Sequence, residues 1–333
     1  MTHGSAGSSE ARVRTRHPKP GALVRRPSFG EWIELKPDEF RLLRDLFAVR
    51  TGLHFGPESR FSVERRLRER LVVLNMATFA EYHHYLRYGS HAQEEWDEAI
   101  ELLTTNETYF FREERQLHAF ETEVLPLVQP QAKARGRLTV WSAGCSTGEE
   151  VYTIAILIQQ SGLFPPAGPH QVGRASAFAC DVRVYGSDIS RRCVAAARRG
   201  VYAEGSFRAT TPQVRAAFFR RDGDGWQVAD SIRQVCHFGQ MNLLDEDRSR
   251  ILGRADVVFC RNVLIYLDAR ARKTVIEVLY DRLHPGGILL LGHSESLLNV
   301  STAFELLHLR DDLVYRKPVS ARGPNQVPGD TSS

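Results

Sequence analysis

The chain has 333 residues, 42% hydrophobic and 25% charged, an ordinary globular composition with enough material for two cored domains. The absence of an apolar run near the roughly 20 residues of a membrane span disfavours stable membrane insertion. The net charge of +4 resides in residues 1–32, where Arg12, Arg14, Arg16, Lys19, Arg25 and Arg26 face Glu10 and Glu31; the remainder is formally neutral.

The basic stretch 1–32 is rich in Gly, Ser and Pro and poor in apolar residues. It is expected to be a disordered tail and not a nucleic-acid or lipid anchor. It carries no apolar signal core. Cysteines 145, 180, 193, 236 and 260 are odd in number and lack C-x-x-C spacing. That pattern disfavours a disulfide framework or structural zinc and favours a reducing cytoplasm.

From 33 to 105 the periodicity predicts a small helical domain of about four helices. Phe40, Leu43 and Phe47 recur at i, i+3, i+7, Val63, Leu67 and Leu71 at steps of four, and further helices are expected near 78–88 and 92–104. The helix over 57–73 carries Arg60, Arg65, Arg66, Arg68 and Arg70 against Glu58, Glu64 and Glu69. Arg66 and Arg70 share a face at i, i+4. A partner-binding basic face and an ordinary solvated one remain alternatives there. Thr104-Thr-Asn-Glu-Thr-Tyr-Phe-Phe-Arg-Glu113 then sets polar side chains beside three aromatics. It reads either as a capped helix start in an interdomain seam or as a polar strip facing a ligand, with Arg112 offering a fixed fork to a carboxylate.

A helix near 113–128 leads into strand–helix alternation, with strands expected at 137–142, 182–187, 234–239, 255–260 and 287–292 and helices at 148–161, 190–198 and 269–283. Such alternation predicts a mostly parallel sheet with helices on both faces. Residues 203–240 are expected to leave it as a small β excursion, with a helix over 211–219 and a turn at Asp222-Gly-Asp-Gly225. Ala303–Leu309 and Leu313–Arg316 predict a closing antiparallel hairpin at the sheet edge. Residues 319–333 read as a second disordered tail.

The turn Trp141-Ser-Ala-Gly-Cys-Ser-Thr-Gly-Glu-Glu150 joins a strand to a helix through small residues, which gathers bare N–H groups and the positive helix end at one point. Asp188, at the tip of the next strand, suits ribose hydroxyls. A nucleoside-containing cofactor is thereby suggested, without saying which. The dinucleotide fingerprint fits poorly: G-x-G-x-x-G is absent, and Gly148 to Asp188 spans 40 residues where about 20 is usual. The Pro/Gly-rich loop Phe164–Pro169 accounts for part of that excess. Gly144-Cys-Ser-Thr-Gly148 also satisfies the G-x-S-x-G elbow of α/β hydrolases, which would make Ser146 a nucleophile with Asp188 or a later acid and His293. Arg261-Asn262 ends one strand and Asn242 the preceding one, at the edge where open α/β sheets bind ligands.

Taken together, Thr-Thr-Asn-Glu-Thr-Tyr-Phe-Phe-Arg, Trp-Ser-Ala-Gly-Cys-Ser-Thr-Gly-Glu-Glu, Ser-Asp-Ile, Phe-Cys-Arg-Asn-Val-Leu-Ile-Tyr and Gly-His-Ser-Glu-Ser resemble, in order and over about 34–317, the bacterial chemotaxis protein-glutamate O-methyltransferases. The resemblance implies a class I methyltransferase (Rossmann-like) α/β sheet over 106–318, preceded by an all-helical domain over 33–105. It implies methyl transfer from S-adenosylmethionine to glutamate carboxylates on the helical cytoplasmic domains of chemoreceptors. The cofactor would be held by Asn106, Thr108, Arg112, Glu150, Asp188, Asn242, Leu243, Arg261 and Asn262. Arg112 and Tyr266 would lie closest to the chemistry, and Arg60, Arg66 and Arg70 would meet the acidic receptor. A cytoplasmic monomer without metal, nucleic acid or membrane insertion is expected.

The chain departs from the family pattern at Val151, where proline often stands, and at Glu69 and Val72, where relatives are frequently basic. The short turn at 222–225 further predicts that no receptor C-terminal peptide is gripped there. A methyltransferase-fold module that binds the cofactor without turnover, and the Ser146 hydrolase, are the competing functions.

Overall fold

The computed structural model describes residues 33–165 and 180–319; the two basic or Pro-rich ends and the loop expected at 164–169 fall wholly or mostly outside them. Four helices open the chain: α1 (Pro37–Thr51), α2 (Arg60–Val73), α3 (Phe79–Tyr88) and α4 (Ala92–Leu103). Their predicted stripes, Phe40, Leu43 and Phe47 with Val63, Leu67 and Leu71, pack on Phe79, Tyr82 and Trp96 in one buried cluster.

A rod follows, made of α5 (Glu114–Ala119), a π-helical turn (Phe120–Val124) and α6 (Leu125–Arg135). It runs past the expected end near 128 despite Pro126 and Pro130. The Leu125 N–H donates to the Phe120 carbonyl. This wider i→i+5 register, set just ahead of Pro126, absorbs the ring that would break a regular turn.

The rest alternates as expected: β1 (Arg137–Ala143), α7 (Glu149–Gln160), β2 (Asp181–Asp188), α8 (Arg191–Arg199), β3 (Val201–Tyr202), α9 (Pro212–Phe218), β4 (Phe219–Asp222), β5 (Gly225–Val228), α10 (Asp230–Arg233), β6 (Cys236–Gln240), α11 (Glu246–Ser249), β7 (Ala255–Cys260), α12 (Ala269–Arg282), β8 (Leu283–Leu291), β9 (Glu305–His308) and β10 (Leu313–Arg316). The main sheet has seven strands in the order β6-β2-β1-β7-β8-β10-β9. Its first five are parallel, and the terminal hairpin closes it with β10 antiparallel to both β8 and β9. This is the class I methyltransferase arrangement, with order reversal beside β1, where strand tips leave a crevice.

The excursion forms its own three-stranded sheet, β3-β5-β4. It is narrower than 203–240: it begins at Val201 and ends at Val228, and Cys236–Gln240 pairs with β2 in the main sheet. Its hairpin turns on two residues, Gly223 and Asp224.

Candidate functional site

The crevice outside the tips of β1, β2, β6 and β7 opens into a cavity of about 330 Å³, a size suited to a nucleoside-scale ligand. All nine residues expected to hold a cofactor line it, as does Tyr266.

The floor is the turn between β1 and α7. The Gly144 and Cys145 N–H groups donate to the Ser187 carbonyl at 2.8 and 2.9 Å, and the Met241 N–H donates to the Asp188 carbonyl at 2.8 Å, which ties three strand tips together. Asp188 is 7% exposed. One carboxylate oxygen accepts from the Ser146 N–H at 2.8 Å and the other from the Ser190 N–H at 2.9 Å. Burial pushes its pKa up, and those two backbone donors partly offset the rise. Each oxygen keeps a lone pair for another donor, and Asp188 faces the cavity beside Ile189, Met241 and Leu243, an apolar wall suited to a flat base.

Arg261 crosses the deep end, its side chain only 2% exposed. Nη2 donates to Glu113 at 2.9 Å and to the Arg112 carbonyl at 2.7 Å, and Nη1 donates to Glu150 at 3.0 Å. Glu150 also accepts from the Ser142 hydroxyl at 2.7 Å. Burial raises the Glu113 pKa, but the Arg261 charge and hydrogen bond, with His293 and Asn262, hold the carboxyl below its ordinary value. One guanidinium held between two carboxylates leaves the Glu113–Arg261–Glu150 cluster net negative.

The lid is the polar strip Thr104–Glu113. It is held from below by the Phe111 N–H on the Thr153 hydroxyl and by the Ser146 hydroxyl on the Asn106 carbonyl. It is held from outside by the Phe110 N–H on the Ser206 carbonyl, with the Phe110 ring seated among Tyr202, Phe207 and Phe219 of the excursion. Half-buried Arg112 donates from Nη1 to the Glu107 carbonyl at 2.9 Å. Phe111, Glu113, Ser146 and Asn262, all at or beside the cavity, take φ between 49° and 62°. Such strain persists only where surroundings impose it, and it gathers at functional sites.

Some side chains differ from expectation in what they can offer. The Asn242 amide is engaged: Nδ2 donates to the Arg50 carbonyl and Oδ1 accepts from the Leu244 N–H. Of the three arginines expected at a partner surface, only Arg66 reaches the cavity, its Nη1 donating to the Leu102 and Leu103 carbonyls at 3.3 and 3.0 Å. Arg60 caps the Leu35 carbonyl at 2.6 Å. Arg70 donates two bonds to Glu95, which also accepts from the Tyr82 hydroxyl. Helical periodicity placed Arg66 and Arg70 on one face, but that face turns inward onto α4. Arg65 is the exposed arginine of α2.

The Ser146 triad does not assemble. Its hydroxyl donates to a backbone carbonyl, Asp188 takes the N–H groups of Ser146 and Ser190, and the His293 ring lies 3.9 Å from Glu113.

The first domain contributes to the cavity in a way that no motif in the sequence marks. The end of α1, the connection after it and the first turn of α2 place Thr51, Leu53, His54, Phe55, Ser59 and Ser62 on the cavity wall. It docks through the His54 N–H on the Tyr266 carbonyl, the Asp268 N–H on the Gly52 carbonyl and a bridge between Leu53 and Leu267. Gly52 sits at φ 76°, and a Cβ there would lie 2.6 Å from that of Ala271. A glycine just past a helix was the available signal, yet it marks only a helix end. On the other side, Glu101 accepts from the Ser190 hydroxyl and the Arg192 N–H, fastening α4 to the start of α8.

The donor set fits S-adenosylmethionine. Asp188 suits ribose hydroxyls, the net-negative deep end suits a sulfonium and an ammonium, and, among the described residues, the buried Arg261 Nε has no hydrogen-bond partner and is free for an acceptor. No group of His, Cys, Asp and Glu that could hold a metal occurs among the described residues.

Known proteins match this chain along most of its length. A family model described as CheR methyltransferase, SAM binding domain, matches residues 106–312, and one described as CheR methyltransferase, all-alpha domain, matches 38–104. Chemotaxis protein methyltransferase 2 of Vibrio cholerae is 34% identical over 298 residues, covering 89% of this chain and 99% of that protein. The chemotaxis protein methyltransferase of Escherichia coli is 33% identical over 292 residues, covering 86% and 92%. Chemotaxis protein methyltransferase 2 of Pseudomonas aeruginosa is 33% identical over 270 residues, covering 79% and 88%.

Proposed function

The chain belongs to the CheR methyltransferase family and uses S-adenosylmethionine, and we propose that it methylates glutamate side chains of chemoreceptor cytoplasmic domains to give glutamyl methyl esters. When bound, the cofactor supplies a methyl group on a sulfonium: a carboxylate oxygen forms the new C–O bond, and the S–CH3 bonding pair returns to sulfur to leave neutral S-adenosylhomocysteine.

The acceptor needs no general base, because a glutamate of ordinary pKa, about 4.3, is already ionised at neutral pH. The protein's part is alignment and exclusion of water. Asp188 and the turn at Gly144–Ser146 hold the nucleoside end, Glu150, Glu113 and Arg261 receive the amino-acid end, and Thr108 and Leu243 complete the walls. Arg112 holds the incoming carboxylate through its planar guanidinium fork. Tyr266 orients it with its hydroxyl from the opposite loop, and the first domain roofs the cavity against water.

The cavity itself carries the proposal: the nine expected cofactor residues, Arg112 among them, and Tyr266 line one space that both domains enclose. The receptor-facing cation is Arg65, and the protein acts as a cytoplasmic monomer. Incubation with methyl-labelled cofactor and receptor-bearing membranes tests the proposal. Label released by mild base as methanol is expected; label that resists base, or stays on the cofactor, contradicts it.

A further inference from the structure

Glu295 has no assigned task, yet its carboxylate sits at the centre of the loop that carries two site residues. Oε2 accepts from the Asn262 N–H at 2.8 Å and the Gly292 N–H at 2.8 Å; Oε1 accepts from the Val263 N–H at 2.9 Å and the Ile265 N–H at 3.3 Å. Four backbone donors from the loops after β7 and β8 thus converge on one side chain. Such a concave set of N–H groups binds anions, and here the chain supplies its own. Charge-assisted bonds of this kind are about twice as strong as neutral ones.

The consequences fall on the cavity. Asn262 is held at φ 58°, costly for a residue with a Cβ, with its amide turned to Glu113 at 3.4 Å. Val263 presses its methyls against Gly144, where a Cβ would collide with them, so the loop sets the roof over the glycine turn. Tyr266 ends the same loop, its carbonyl accepting from His54 of the first domain. The space around Glu295 is closed to change: a Cβ on Gly292 would stand 2.9 Å from Glu295 Oε2 and from the Asn262 N–H.

We propose that Glu295 is a positioning residue for methyl transfer, its carboxylate acting as an internal anion that fixes Asn262 and Tyr266 against the cofactor turn. The proposal rests on the methyltransferase reading above. Losing it lets the loop drift by a fraction of an ångström, enough to affect the acceptor side more than the cofactor side; a misplacement of 1 Å can cost about a hundredfold in rate.

The test compares wild type, Glu295→Ala and Glu295→Gln by methylation rate on receptor-bearing membranes, by S-adenosylhomocysteine calorimetry and by amide hydrogen exchange over residues 262–266, each with and without added formate. Glu295→Gln keeps the volume, but its NH2 faces backbone donors. Expected are faster exchange at 262–266 in both variants, methylation about a hundredfold slower in Glu295→Ala against at most about tenfold weaker S-adenosylhomocysteine binding, and partial recovery by formate in Glu295→Ala alone, where the nest is vacated. Unchanged exchange, a methylation rate that falls no more than the affinity does, or faster exchange in Glu295→Ala that formate leaves untouched each overturns the proposal. Failure of the wild type to bind S-adenosylhomocysteine sinks the methyltransferase reading instead, and the exchange data still decide whether Glu295 holds the loop.

Discussion

The two halves of the cavity are built on different terms. On the cofactor side, each charged side chain is fixed by several partners before a ligand arrives: Asp188 by two backbone N–H groups, Arg261 by two carboxylates and a carbonyl, Glu150 by Arg261 and Ser142. On the acceptor side, Arg112 is half-buried and held through the Glu107 carbonyl, and Tyr266 is 37% exposed. The first arrangement is preorganised and favours tight binding of one small molecule. The second leaves room for a protein side chain to enter and be gripped on arrival. On the proposed function, one cavity takes both a constant cofactor and a variable protein surface.

The largest expected effect comes from breaking the fixed half. Arg261→Met strands Glu113 and Glu150 without their counter-ion and should cost about 3–5 kcal/mol of stability, read as a lower urea midpoint. The Glu113 pKa is held low in the fold, so its contribution is present above the ordinary glutamate range and is lost as pH falls through the depressed value. Glu113→Gln should therefore flatten the acid limb of the stability profile, and an unchanged limb would contradict the assigned pair.

A smaller effect, on the open half, distinguishes the two. Arg112→Ala should lower the methylation rate about a hundredfold, roughly 2.7 kcal/mol, while S-adenosylhomocysteine affinity changes less than about fivefold; an equal loss in both would make Arg112 a cofactor ligand first. Asp188→Asn should weaken cofactor binding about tenfold, the scale of one charge-assisted hydrogen bond. Because burial raises the Asp188 pKa, wild-type affinity should decline on acidification already above the ordinary aspartate range, and the asparagine variant should lose that dependence. Smallest of all, Arg65→Ala should slow receptor methylation about threefold without shifting the melting temperature. The same change at Arg70, tied to Glu95, should show first in the melting temperature.

Much of this was legible from sequence, for a physical reason. The central strands β1, β7 and the second half of β8 are buried on both faces, so Val140, Val257 and Leu290 sit in nearly continuous apolar runs whose ends are sharp, and the polar residues just past those ends line the cavity. What was not legible depends on contacts far apart in the chain. Nothing local says that the loop after α1 reaches across to Tyr266 and Asp268, or that Glu295 gathers N–H groups from residues about thirty positions earlier. The inward turn of Arg70 was hidden likewise, since its face is defined by Glu95 on another helix. The excursion's far border was misread because β6 follows it with a similar short, mixed pattern.

The proposed acceptor is a glutamate carboxylate. Mapping methylated peptides by mass spectrometry, from receptor-bearing membranes incubated with the wild-type protein and S-adenosylmethionine, tests it most directly. Base-labile methyl esters are expected on glutamate side chains of the receptor's cytoplasmic helices. Wild-type protein that binds S-adenosylhomocysteine yet leaves those glutamates unmodified, or places the methyl on nitrogen, would contradict it.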